Sequence, residues 1–150
     1  IKIHLPLNYG LGDYKTYAKE IITYAVRIFG EKKVAPLTEI ISGEAYLRYL
    51  NNMNVGLFNN DRQQAMGNIT QAVLCGAKVY IRTDTNMWEH YHKLGCKLHD
   101  IETITDMHSL SELAEEPPAQ KEQNQKAMSA RQDMNLKVKI WKNIFDKMSE

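Results

Sequence analysis

The fold is decided by residues 55–81, which read VGLFNNDRQQAMGNITQAVLCGAKVYI. The stretch opens on the apolar run Val55–Phe58 and closes on a second one at residues 79–81, and each has the length of a buried strand. Between them, apolar residues at helical spacing follow Gly67 and stop at Gly76, which predicts one helix. The order strand, helix, strand predicts two parallel strands joined by a crossover helix.

The same unit recurs on both sides of this stretch. Upstream, strand-like runs at residues 1–5 and 33–35 flank a helical pattern that stops at Gly30, and a second helix is expected behind Ser42. Downstream, Asn86 is expected to cap a helix that runs through Leu94. The alternation predicts an α/β fold, namely a Rossmann-like parallel sheet with helices on both faces.

The pattern breaks at residues 115–118, which read EEPP. A polar stretch rich in Gln and Lys follows and leads to a last amphipathic helix. The sequence thus predicts one domain over residues 1–115 and a helical tail over residues 116–150. The tail is expected to dock by a stripe of Leu136, Ile140 and Ile144, either on this domain or on a domain outside the sequence.

Composition narrows the class of protein. At 150 residues, with 43% hydrophobic and 25% charged residues, the chain can bury a core, and its net charge of +1 disfavours nucleic acid as a main partner. It has no apolar run of about 20 residues and no signal-like start, so a cytoplasmic location is expected. Cys75 and Cys96 lack metal-ligand spacing and are expected to be structural. The chain opens without Met inside a strand-like run, which indicates a piece of a longer protein.

Two loops are candidate ligand sites, because open parallel sheets bind ligands outside the carboxyl ends of their strands. The loop after residues 55–58 is rich in hydrogen-bond donors and enters a helix, so N–H groups and a guanidinium converge there; its members are Asn59, Asn60, Arg62, Gln63, Gln64, Gly67 and Asn68. A phosphate site and a plain solvated loop both fit this pattern. For the earlier loop, with Asn8, Tyr9 and Gly10, an ordinary glycine turn is the simpler interpretation.

Several other polar residues have simpler interpretations than chemistry. His90 and His92 lie two apart on a predicted helix and point to different sides, so a surface position is expected rather than a metal pair. His4 is expected in the core or an interface, and Asp84 at a helix entrance as a cap. No Asp-x-Asp pair that would hold a divalent cation is present, and no metal or cofactor is expected.

Four stretches together resemble a known family. Residues 67–81 look like the glycine turn, helix and buried strand of GT-B glycosyltransferases. Residues 6–10 (PLNYG), 46–50 (YLRYL) and 60–69 (NDRQQAMGNI) are similar to the TDP-N-acetylfucosamine:lipid II N-acetylfucosaminyltransferases, also called 4-alpha-L-fucosyltransferases. The resemblance covers about residues 1–110, and Trp141 falls near a family tryptophan. Family members carry an N-terminal acceptor domain and a further strand and helix that precede this sequence.

The resemblance implies a nucleotide-sugar-binding domain that contributes to bacterial envelope polysaccharide synthesis of the enterobacterial common antigen type. The donor diphosphate would lie against Arg62, Gln63, Gln64, Gly67 and Asn68, with weaker donor contacts at a second group of residues, Asn59, Asn60, Asn8, Tyr9, Gly10 and Gln71. The acceptor would be a polyprenyl-diphosphate-linked glycan, held by the other domain. The whole enzyme would then sit peripherally at the cytoplasmic face of the inner membrane, and this chain alone would be inactive.

One departure from the family pattern concerns the ribose. Many GT-B enzymes place a glutamate where this sequence has Gln71, and that glutamate binds two ribose hydroxyls. A deoxyribose lacks the 2′-hydroxyl, so Gln71 agrees with a thymidine nucleotide. The alternative function is a Rossmann-like or flavodoxin-like nucleotide-binding module without catalysis.

Overall fold

The structure, a computed structural model, describes residues 1–7 and 14–148, with the backbone alone at Tyr14. It divides into two compact units, Ile1–Ala45 and Tyr46–Glu150. Asn8, Tyr9 and Gly10, which the sequence marks as weaker donor contacts, lie outside the described residues.

The first unit is a parallel strand pair with a helical crossover. Strand β1 (Ile3–Pro6) pairs with β2 (Val34–Leu37), and helix α1 (Tyr14–Phe29) connects them. Ala18 and Ala25 lie buried on one face of α1, and Gly30 ends the helix with a φ of 85°, which glycine adopts without strain. The predicted helix and its stop are therefore confirmed, and the second strand begins one residue later than predicted.

Helix α2 (Gly43–Asn51) begins where the sequence predicts it. The Ser42 hydroxyl oxygen accepts a hydrogen bond from the backbone N–H of Ala45 at 3.2 Å, which is the contact expected of a capping serine. Leu50 is the buried residue of this helix.

The second unit contains the sheet that the sequence predicts from residues 55–81. Strands β3 (Val55–Phe58), β4 (Lys78–Ile81) and β5 (His99–Asp100) are parallel and lie side by side in that order. Helix α3 (Met66–Leu74) connects the first two, and α4 (Asn86–Lys93) connects the last two. This repeated strand–helix unit is a Rossmann-like arrangement.

Alternation along β4 places helices on both faces of this sheet. Val79 and Ile81 pack into a core cluster whose other large members are Ile69, Val73, Met87, Tyr91, Leu98 and Met128. Tyr80 faces the other side, where its hydroxyl donates to the backbone oxygen of Leu113 at 3.0 Å in helix α5 (Leu110–Ala114). The prediction that β3 is a buried strand is wrong at Leu57, which is 54% exposed, whereas every residue of β4 is buried.

The polar stretch that begins at the second proline is a helix, α6 (Pro118–Gln132), which agrees with the predicted helical tail. Pro118 occupies the first turn, where its missing N–H costs nothing. Gln125 donates to the carbonyl of Leu74 at the end of α3, and Gln123 donates to the carbonyl of Gly95 just beyond α4. The side-chain amides of α6 thus donate hydrogen bonds to backbone carbonyls at the C-terminal ends of α3 and α4.

Asn124 and Met128 fix α6 to the rest of the second unit. The Asn124 amide accepts from the N–H of Lys97 at 2.8 Å and donates to its carbonyl at 3.0 Å, while Met128 is fully buried in the core cluster. The domain boundary at residue 115 stays a prediction, although α6 packs against α3 within one unit.

Helix α7 (Met134–Met148) is helical as predicted, but its apolar stripe is uncovered in the described chain. Leu136, Ile140 and Ile144 are 46%, 49% and 41% exposed. Docking of the stripe on this domain is therefore wrong, because the apolar side chains of α7 stay exposed. Docking on a domain outside the sequence stays a prediction. No helix of the described residues is long and apolar enough to cross a membrane.

Candidate functional site

The loop between β3 and α3 closes on itself before the helix begins. Asn60 donates through its amide to the backbone oxygen of Gln64 at 3.4 Å, and Gln63 donates to the sulfur of Met66 at 3.0 Å. These two bonds hold a compact turn at the carboxyl end of β3, which is the edge where ligands of parallel sheets bind.

Arg62 is exposed in this turn and rests against a neutral partner. With the Gln64 amide oriented by its hydrogen bonds, the amide oxygen accepts from Nη2 of Arg62 at 2.9 Å and from Nε at 3.0 Å. An ion pair of Arg62 with Asp61 would compete with anion binding, but the Asp61 carboxylate binds Arg82 instead, at 2.6 Å. Among the described residues no carboxylate neutralises Arg62, so its charge remains available to an anion.

The N-terminus of α3 is open. Its N-cap, Ala65, has a left-handed backbone with a φ of 55° and forms no side-chain cap bond, and a Cβ atom added at Gly67 would meet nothing within 4 Å. The first N–H groups of a helix lack partners inside it and carry the positive end of the helix dipole. An anion can therefore approach the backbone at Gly67 and Asn68.

Tyr91 holds this open end in place from below. Its buried hydroxyl donates to the backbone oxygen of Met66 at 3.0 Å and lies 3.2 Å from the hydroxyl of Thr70. Burial raises the pKa of this phenol, so it stays neutral. These hydrogen bonds hold the first turn of α3 in one position relative to α4.

Arg82, the first residue after β4, has a structural role that the sequence analysis did not predict. Its Nε and Nη2 bind both carboxylate oxygens of Asp84, at 2.9 and 2.6 Å, while Nη1 binds Asp61. The Arg82 hydrogen bond lowers the pKa of Asp84, and Asp84 in turn raises the pKa of Arg82. One guanidinium thus joins the loop after β3 to the loop after β4.

Two predictions about the start of α4 are wrong. Asp84 does not cap the helix, because its carboxylate is engaged by Arg82. Asn86 is the first helical residue rather than the cap, which is Thr85, and the Thr85 hydroxyl donates to the backbone oxygen of Arg82 at 3.1 Å. An Arg-x-Asp run directly after a strand, next to an aspartate after the neighbouring strand, is the signal that would have indicated this bridge.

The remaining candidate residues differ in how exposed they are. Asn59 is exposed, Asn60 and Asn68 are half-buried at the turn and the first turn of α3, and Gln71 lies half-buried one turn further along. Arg62, Gln63, Gln64, Gly67 and Asn68 thus belong to one continuous segment from loop to helix.

The histidines and cysteines have structural surroundings. His92 lies against Trp88 with ring centroids 4.2 Å apart, and His90 is half-buried, which lowers its pKa. Both cysteines are free, and burial raises the pKa of each thiol. Within residues 1–7 and 14–148, no three His, Cys, Asp or Glu side chains converge on a point that would hold a metal ion.

Comparison with known proteins assigns a family to this arrangement. The family described as 4-alpha-L-fucosyltransferase, glycosyl transferase group 56, matches residues 1–114, which include the loop after β3, α3 and the Arg82 bridge. The chain belongs to this family. It is a glycosyltransferase of the fucosyltransferase type, and the resemblance drawn from the sequence is confirmed. No solved structure matches the chain.

Proposed function

We propose that the chain binds a TDP-activated amino sugar, of the TDP-N-acetylfucosamine type, with the donor diphosphate between Arg62 and the N-terminus of α3. The observation that carries this proposal is the open helix end beside a guanidinium that no described carboxylate neutralises. Charge-assisted bonds from guanidinium to phosphate, together with backbone N–H groups, are the usual means of holding a diphosphate. Gln63, Gln64 and Asn68 would supply further amide donors.

Catalysis would rest on stabilising the diphosphate as it leaves. As the bond from the anomeric carbon to the diphosphate breaks, negative charge grows on the leaving oxygens, and preorganised donors lower the energy of that state. Arg62 and the backbone N–H of Gly67 would stabilise this charge, and we propose that no metal ion is required. Arg82 would act indirectly, by holding the Asp61 turn against the Asp84 loop.

The proposed acceptor is a polyprenyl-diphosphate-linked glycan, bound by a domain outside this chain. Transfer to such an acceptor takes place where its lipid is anchored, so the enzyme would associate peripherally with the cytoplasmic face of the inner membrane. Membership of an enzyme family favours this function over a nucleotide-binding module without catalysis.

Nucleotide preference tests the donor assignment. Calorimetric titration with TDP and UDP should give tighter binding of TDP, because Gln71 offers no carboxylate for a ribose diol. The variant Gln71→Glu should narrow or reverse this preference, since a bidentate carboxylate is left partly unpaired by deoxyribose at a cost of about 1–3 kcal/mol. Gln132→Glu, at the exposed end of α6, adds the same charge elsewhere and should leave the preference unchanged. Equal binding of both nucleotides by the unmodified protein would contradict the TDP assignment.

A further inference from the structure

A cleft lies on the Tyr80 face of the second unit, away from the loop after β3. Its volume is about 770 Å³, within the roughly 300–1,000 Å³ of ligand-binding pockets. The wall includes Lys78 at the start of β4, His99 of β5, and the chain from Glu115 to Pro118 that connects α5 with α6. None of these residues belongs to the candidate donor site.

Glu116 is the unusual group in this cleft. Its side chain is 6% exposed, and one carboxylate oxygen, Oε2, lies 2.8 Å from Nε2 of His99. The other oxygen, Oε1, is buried and has no hydrogen-bond partner among the described residues. A buried acceptor without a partner is costly, typically by about 1–3 kcal/mol, and such groups call for an explanation. A ligand that donates to Oε1 would supply the missing partner.

Lys78 limits the charge that the ligand can carry. Lys78 is 8% exposed, and its ammonium donates to the backbone oxygen of Glu112 at 2.6 Å, which uses one of its three N–H groups. The buried Lys78 cation disfavours a cationic ligand, while the carboxylates of Glu112, Glu115 and Glu116, which all line the cleft, disfavour an anionic one. A neutral ligand avoids both penalties.

The arrangement of donors, acceptors and apolar surface suits a sugar. A hydroxyl group both donates and accepts, so neighbouring hydroxyls can serve Glu116 Oε1 and the Lys78 ammonium together. Met107, Pro117 and Pro118 line the same cleft and offer apolar surface to the C–H face of a ring. We infer that this cleft binds a neutral, hydroxyl-rich ligand of the saccharide class, with Glu116 as its principal acceptor. This inference does not depend on the proposed donor site.

Nuclear magnetic resonance titration of the full chain tests the inference. Glucose and N-acetylglucosamine serve as neutral probes, with putrescine and inorganic phosphate as cationic and anionic ones. Millimolar sugar should shift the amide resonances of His99, Ser111 and Glu116, and the two charged probes should leave these resonances in place. Absence of any sugar-dependent shift at these residues would overturn the inference, and so would a larger shift with putrescine or with phosphate.

Two variants test the role of Glu116. Glu116→Gln keeps the shape but can turn an N–H₂ group toward the ligand, so sugar binding should weaken at least tenfold. Glu122→Gln makes the same change on an exposed turn of α6 that does not line the cleft and should have no effect. Unchanged sugar affinity in a folded Glu116→Gln protein contradicts the assignment.

A third variant keeps the test decisive if Glu116→Gln fails to fold. Ser111→Trp fills the cleft from an exposed position on α5 and should block sugar binding while TDP binding persists. Sugar binding that survives this substitution would move the site elsewhere. Because TDP is titrated in parallel, a failure of the donor site is distinguished from a failure of the cleft.

Discussion

The two ends of helix α3 contrast in how their backbone groups are satisfied. At the C-terminal end, Gly76 adopts a φ of 78°, its N–H donates to Val73, and Gln125 of α6 donates to the carbonyl of Leu74. At the N-terminal end, Ala65 is strained and offers no side-chain cap. One end is closed by the fold, and the other keeps its N–H groups for a partner.

This difference separates residues that build the fold from residues that serve the ligand. Closing a helix end lowers the free energy of the folded state, and leaving one open forgoes roughly 1 kcal/mol that a capping side chain would supply. The helix end that remains open is the one beside Arg62, at the carboxyl edge of the sheet. Substitutions at the closed end should therefore change stability, and substitutions at the open end should change nucleotide binding.

The largest expected effect is at Arg62. A lost charge-assisted hydrogen bond to phosphate costs about 1.5–3 kcal/mol, so Arg62→Ala should weaken TDP binding by roughly 10- to 150-fold. Arg62→Lys should recover part of the loss, because a point charge lacks the planar fork. Calorimetry with TDP measures both variants, and circular dichroism checks their fold. Unchanged affinity in folded Arg62→Ala would move the diphosphate site away from this loop, most simply toward Asn8 and Gly10.

Next in size is a pair of glycine substitutions at the two ends of α3. Gly76→Ala should lower stability by about 1–2 kcal/mol, because a side chain is strained at this φ and its Cβ would clash with Cε of Lys121, which must move. Gly67→Ala meets open space at negative φ and should leave the melting temperature unchanged or raise it. Equal destabilisation by both would remove the contrast between the two ends. Thermal unfolding monitored by circular dichroism gives the comparison.

Tyr91→Phe probes the support under the open end. The change removes the hydroxyl that bonds to Met66 and Thr70 while keeping the buried ring, so stability should fall by about 1 kcal/mol. TDP affinity should fall as well, because the first turn of α3 loses its fixed position. Tyr24→Phe removes an exposed hydroxyl and should change neither quantity. A stability loss without any change in affinity would mean that Tyr91 supports the core alone.

Periodicity predicted the backbone of both units, since strands β3 and β4 and helices α1, α3 and α4 lie close to the predicted positions. It did not give the bounds of α6 within the predicted helical tail, because polar side chains there bind backbone groups of other helices and leave little apolar pattern to detect. Burial of β3 was also overestimated, since an apolar run does not say which face is covered. Pairings between loops, such as Arg82 with Asp61, depend on strand order, which no single segment encodes.

The smallest expected effect is a gain in stability at Ala65. An L-residue with a left-handed backbone is strained by about 1–2 kcal/mol, and glycine removes this strain. Glycine also makes the unfolded chain more flexible, which costs about 0.4–1 kcal/mol, so Ala65→Gly should stabilise the protein by roughly 0.5–1 kcal/mol in net.

The control for this gain is the same substitution at an ordinary helical position. Ala130→Gly, on an exposed turn of α6, has no strain to relieve and should destabilise by up to about 1 kcal/mol. A higher melting temperature for Ala65→Gly together with a lower one for Ala130→Gly would show that the backbone of Ala65 is strained. If Ala65→Gly lost stability as Ala130→Gly does, the left-handed turn would carry no strain. TDP affinity measured on Ala65→Gly then tells whether that turn must be rigid to hold the diphosphate: weaker binding by a more stable protein would show that the open end gives up stability for a preformed anion site.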